Sequence, residues 1–104
     1  MGAIPSDLKK FLRRDGMLVG SATLDPTSLI DAAGTTLTMT VTGAALGDFV
    51  LVSAPYDLQD ITVTAYVQAA NTVEIRVQNE GGATVDLASG TWRAVVIKKE
   101  TFGF

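Results

Sequence analysis

The sequence predicts an all-β domain: an antiparallel β-sandwich or jelly-roll-like barrel of six to eight short strands, preceded by a short N-terminal helical arm. Three observations lead there. Apolar residues alternate with polar ones over "TTLTMTVTG", "ITVTAYVQ" and "TVEIRVQN", the two-residue period of half-buried strands. Gly, Pro, Asp and Asn clusters divide these runs at nearly regular spacing. No segment beyond residue 16 carries the period of a long helix.

The first element differs from the rest. Ser6 stands as an N-cap with Pro5 before it and Asp7 in the first turn, and Gly16 occupies the position of a C′ residue. Leu8, Phe11 and Leu12 fall at i, i+3 and i+4, so a two-turn helix is expected over about 7–14. Such a helix is marginal by itself in water, and its apolar stripe must dock on something. The stretch also holds Lys9, Lys10, Arg13 and Arg14, four of the chain's 8 basic residues. Arg13 and Arg14 suit a helix C-terminus, but Lys9 and Lys10 lie near the N-terminal end, where cations are unfavourable.

From Met17 the strands follow in order. "MLVGSATL" is the first, ended by Asp25-Pro26; "SLIDAAG" is a connection. "TTLTMTVTG" sets Leu37, Met39 and Val41 on one face and Thr36, Thr38, Thr40 and Thr42 on the other. "GAALGD" turns into "FVLVS", a continuous apolar run expected to be buried on both sides or to lie at a sheet junction. After the loop "APYDLQD", the strands "ITVTAYVQ" and "TVEIRVQN" form a hairpin through "AAN", with Val73, Ile75 and Val77 inward. "ATVDLASG" is a short edge segment or loop, and "TWRAVVIKK" closes the sheet.

At 104 residues the chain forms one β-domain over 17–104, with residues 1–16 as the arm. It has neither Cys nor His, which removes thiolate ligands, the commonest general base and the commonest transition-metal ligand together. Asp57 and Asp60, beside Tyr56, are the best remaining carboxylate pair, but their loop position suits solvated residues that start and stop strands. No calcium loop, dinucleotide fingerprint or Walker loop occurs. No catalytic residue, metal or cofactor is therefore expected. The net charge of −3 divides unevenly: residues 1–16 hold four basic and two acidic groups, the remainder four basic and nine acidic. An acidic body argues against nucleic acid, and no apolar run approaches the ~20 residues of a membrane helix. Trp92, at the start of the last strand, is expected to seal the end of the core. Phe102 and Phe104 are expected to pack on a neighbouring copy or on the domain's own flank.

Residues 41–98, "VTGAALGDFVLVSAP" through "GTWRAVVIK", resemble a β-domain recurrent in structural proteins of tailed bacteriophages. The likeness rests on the turn Thr42 to Asp48, the apolar strand Phe49 to Val52, Ala65 to Val67, the turn-strand Asn71 to Arg76, and the closing Gly90 to Arg93. Upstream, "SATLDPTSLIDAAGTTLTMTV" is similar to that family's opening strands, so the resemblance spans roughly residues 20–98. It implies a head decoration (cement) protein, a head fibre or a tail-associated protein, usually trimeric. Its shared residues are turn glycines and core apolar positions, so it transfers no binding site. The stretch "MGAIPSDLKKFLRRDG" lies outside the pattern.

The chain has no heptads or repeats to build a shaft, which favours a decoration protein over a fibre. The expected role is a homotrimer on the outer surface of the assembled head, in the virion, bridging subunits of the major capsid protein and doing no chemistry. Residues 4–16 would dock on the shell, Leu8, Phe11 and Leu12 by burial and Lys9, Lys10, Arg13 and Arg14 by charge. Phe102 and Phe104 would lie between subunits. The alternative is a carbohydrate- or receptor-binding module of a head fibre or tail protein, presenting Trp92, Tyr56 and Tyr66 as an aromatic platform.

Overall fold

The computed structural model describes residues 16–103; the N-terminal arm, with the helix expected over 7–14, and Phe104 lie outside the described residues. Within them are six strands: β1 (Met17–Leu24), β2 (Gly34–Thr40), β3 (Phe49–Ser53), β4 (Ile61–Ala69), β5 (Thr72–Asn79) and β6 (Gly90–Ile97), with a 3-10 turn at Lys99–Phe102. They make two three-stranded antiparallel sheets, ordered β1-β6-β3 and β2-β5-β4. The fold is thus all-β, as the period-two alternation predicts. Only β4 and β5 are joined as a hairpin; every other connection passes from one sheet to the other.

The alternating residues meet in one core. Val73, Ile75 and Val77 of β5 are fully buried with Trp92, Ala94 and Val96 of β6, and Leu18, Leu37, Val50, Val52 and Val63 pack around them. Both groups come from the central strand of a sheet, which is where burial by two flanking strands is most complete. The last strand, β6 in "TWRAVVIKK", is the centre of its sheet.

"FVLVS" is likewise not buried on both sides. As β3 it is, among the described residues, an edge strand paired with β6 alone, with Val50 and Val52 turned inward and Phe49 and Leu51 outward. An unbroken apolar run cannot by itself distinguish a strand buried on both faces from one with an exposed apolar face.

Loops are pinned by two buried polar residues. Asn79, with no exposed surface, donates through Nδ2 to the carbonyls of Leu29 (2.9 Å) and Ala83 (2.7 Å), and its Oδ1 accepts from Gly81 N–H. The β1–β2 connection and the loop after β5 are thereby tied together, an arrangement reinforced by the Leu29–Val85 bridge. Asp48 does the same at the other end: its carboxylate accepts from the amides of Ala45 and Lys99 and from the Lys98 ammonium. One glycine is required by packing. A Cβ at Gly20 of β1 would lie 2.7 Å from Val41 Cγ2, so β1 can approach the end of β2 only without a side chain there.

Candidate functional site

The outer faces of the two sheets are unlike. On β2-β5-β4 the outward residues are polar and interlinked across strands: Thr38, Glu74 and Tyr66 are in register, as are Thr36, Arg76 and Thr64. The Tyr66 hydroxyl donates to the Glu74 carboxylate, a bond that holds its phenol above the usual value. Arg76 donates to Gln78 and Thr36. This face carries the threonines that alternate with the core residues of β2 and β4.

The outer face of β1-β6-β3 breaks the rule. Registered pairing sets Met17, Ile97 and Phe49 in one row and Val19, Val95 and Leu51 in the next. Only the third row turns polar, with Ser21, Arg93 and Ser53. Val19 is 76% exposed and Leu51 63%. Scattered exposed apolar residues are ordinary, but two consecutive rows across all strands of a sheet make a contiguous patch, the kind that marks an interaction surface. Phe49 and Phe102 bound it on one side, their rings edge-to-face with centroids 5.4 Å apart. Phe102 thus meets its own domain's flank through Phe49, carried there by the 3-10 turn after β6.

The face lies where the arm joins. Gly16, just before Met17, gives its carbonyl to Lys98 N–H (3.0 Å) and to the Thr101 hydroxyl (3.1 Å). Gly16 therefore stands beside the Met17–Ile97–Phe49 row. Leu8, Lys9, Lys10, Phe11, Leu12, Arg13 and Arg14 fall outside the described residues.

The other sequence candidates resolve as structural positions. Trp92 is fully buried; its Nε1 donates to the Tyr56 hydroxyl (3.3 Å) and the two rings meet edge-on at 6.0 Å. Of the three aromatics expected as a sugar platform, Trp92 is thus unavailable, Tyr56 is half-buried against it, and only Tyr66 is half exposed. Asp57 accepts from the Gln59 amide in its own loop (2.9 Å), and it and Asp60 are exposed. Among the described residues no three of the acidic, His or Cys side chains gather as a metal group, and no helix is long and apolar enough to cross a membrane. Sequence reasoning missed the apolar face, although a signal was present: outward positions of "MLVGS", "FVLVS" and "AVVI" carry Val, Leu and Ile where the other sheet carries Thr.

The chain matches no protein-family model, and no curated protein or solved structure matches it either.

Proposed function

We propose that this β-domain is a bacteriophage head decoration protein, a homotrimer that binds the outer surface of the assembled capsid and stabilises it by bridging major capsid subunits. In this reading the two sheets form a β-sandwich, supported by the single core to which each contributes one face. The resemblance of residues 20–98 to phage structural β-domains supplies the class. The observation that carries the orientation is the contrast between the sheets' outer faces: one is finished for water, while the other is apolar and lies beside the junction with the basic arm. The arm side faces the shell, and Lys9, Lys10, Arg13 and Arg14 supply the electrostatic match. Phe102 and Phe104 lie near subunit contacts around the symmetry axis. Because only the assembled shell presents the complete site, binding stabilises the shell by mass action.

The test uses full-length protein with heads of the phage encoding it, stripped of this protein and pelleted by centrifugation. Wild type co-sediments, and binding weakens as salt is raised from 0.05 to 0.5 M, on the order of the range over which surface electrostatics are screened. Replacing Lys9, Lys10, Arg13 and Arg14 with Gln abolishes co-sedimentation and leaves the circular dichroism unchanged. Undiminished binding of that variant contradicts the docking role, and failure of the wild type to bind any head contradicts the function.

A further inference from the structure

We infer that the apolar outer face of β1-β6-β3 is the surface through which copies of this chain meet, with Val95 nearest the symmetry axis and Val19 of one copy against Leu51 of the next. Only the number of copies, three, rests on the decoration reading; the choice of face does not.

Accessible area suits an interface between folded chains. Val19 is 76% exposed, Leu51 63%, Phe102 60% and Phe49 44%. At about 150 Å² for a fully exposed aliphatic residue and about 200 Å² for an aromatic one, these four present about 400 Å² of accessible apolar surface. The half-buried Met17, Val95 and Ile97 complete the same two rows and add to it. A stable interface takes about 800 Å² of accessible surface from each partner, of which about 65% is apolar between identical chains. The apolar share of such a half-interface is thus about 500 Å², the order of what the two rows supply.

Charge selects a second copy as the occupant. Residues 17–104 hold four basic and nine acidic groups, so two copies repel wherever their carboxylates face each other. No Asp or Glu occurs in β1, β3 or β6. The single charge on the face, Arg93, stands in the third row, clear of the two apolar ones. Symmetry sets like residues near like around an axis, which an uncharged strip tolerates and a charged one does not. A foreign partner read by charge complementarity would find almost nothing to read here.

The register sets how the copies meet. Val19, Val95 and Leu51 are level, with Val95 on the central strand and the other two on the strands beside it. Three such faces turned toward one axis, strands along it, bring the three Val95 side chains together. The β1 edge of each copy then lies beside the β3 edge of the next, so Val19 meets Leu51 at the same height. Met17 meets Phe49 in the adjacent row, where Phe102 stacks edge-on against Phe49.

Analytical ultracentrifugation of the full-length chain at micromolar concentration is expected to give the mass of three chains. Leu51→Lys removes one unit of the net charge of −3, so general repulsion between copies falls. Assembly nonetheless moves to roughly a hundredfold higher concentration, because an ammonium without a partner is then buried. Val19→Thr with Leu51→Thr gives the face the finish of the other sheet and shifts assembly in the same direction. Thr64→Lys, at an exposed outward position of β4, is the control and leaves assembly unchanged. Val19 and Leu51 lie outside the core, and near-ultraviolet circular dichroism from buried Trp92 reports that each variant is folded. A wild-type monomer, its face then left to some other protein, overturns the inference, and so does assembly that survives both face variants. Two chains, separated by the face variants, uphold the face and contradict the number three. Head co-sedimentation is a separate readout: a trimer that binds no head overturns the decoration role alone, and a monomer that binds heads overturns this interface alone.

Discussion

The Lys98 ammonium donates to the buried carboxylate of Asp48, fifty positions earlier in the chain, and clamps the loop before β3 onto the end of β6. Burial pushes the Asp48 carboxyl up, but the Lys98 ammonium with the Lys99 and Ala45 amides outweighs it and leaves the group below the usual carboxylate value. A carboxyl depressed in the folded state contributes stability that is complete above its unfolded value of about 3.9 and is lost as pH falls through the folded value. Urea melts between pH 7 and pH 2.5 are expected to show stability falling with acid below about pH 4. Asp48→Asn removes that component of the slope. Asp48→Ala costs about 2–4 kcal/mol at pH 7, because it strips three donors of one acceptor group.

Asn79 sits between two loops rather than within a polar cluster, and its amide is the only side chain that reaches both the Leu29 and Ala83 carbonyls among the hydrogen bonds of the described residues. Asn79→Leu preserves approximate volume but strips the Ala83 carbonyl and the Gly81 amide of their Asn79 partner, and leaves the buried Leu29 carbonyl with the Val85 amide alone. A loss of about 2–3 kcal/mol is expected in chemical denaturation. Hydrogen exchange should rise first at the Leu29 and Val85 amides, which bond each other's carbonyls across the loops that Asn79 ties.

Gly20 tests the crossing of β1 over the end of β2. Gly20→Ala brings a methyl to 2.7 Å from Val41 Cγ2 and 3.1 Å from the Thr40 carbonyl, and Val41 is itself buried. The neighbours must shift, at a cost of about 1–3 kcal/mol in thermal or urea melts. A Gly-to-Ala change in a strand free of this contact would be neutral or stabilising.

Trp92 has no exposed surface, so its emission should be blue-shifted, resistant to iodide quenching and insensitive to added glycans. Tyr56→Phe removes the partner of its indole N–H and is expected to cost about 0.5–1.5 kcal/mol, with the emission still blue-shifted. Quenchable emission or a glycan-dependent shift would favour the carbohydrate-binding alternative.

Much of the β-structure was legible because period and burial coincide. "TVEIRVQN" could be assigned with its inward Val73, Ile75 and Val77, and "MLVGSATL" with its limits, since each alternates between one solvated and one buried environment or ends at Asp25-Pro26. Where the environment does not alternate, the pattern loses its meaning. "FVLVS" carries apolar residues on both faces because one face packs in the core and the other is an exposed apolar surface, and periodicity treats the two alike. The roles of Asn79 and Asp48 were hidden for another reason: their partners lie up to 51 residues away, and no local spacing encodes such a bond. Trp92 was placed correctly as a core residue from its position at a strand start, whereas its tie to Tyr56 depends on the fold.

The proposed decoration role is tested most directly by electron microscopy of tailed-phage heads prepared with and without this protein. Added density on the outer head surface, three-fold in symmetry and contacting neighbouring major capsid subunits, is the predicted result. Density confined to the tail, or two indistinguishable heads, would contradict it.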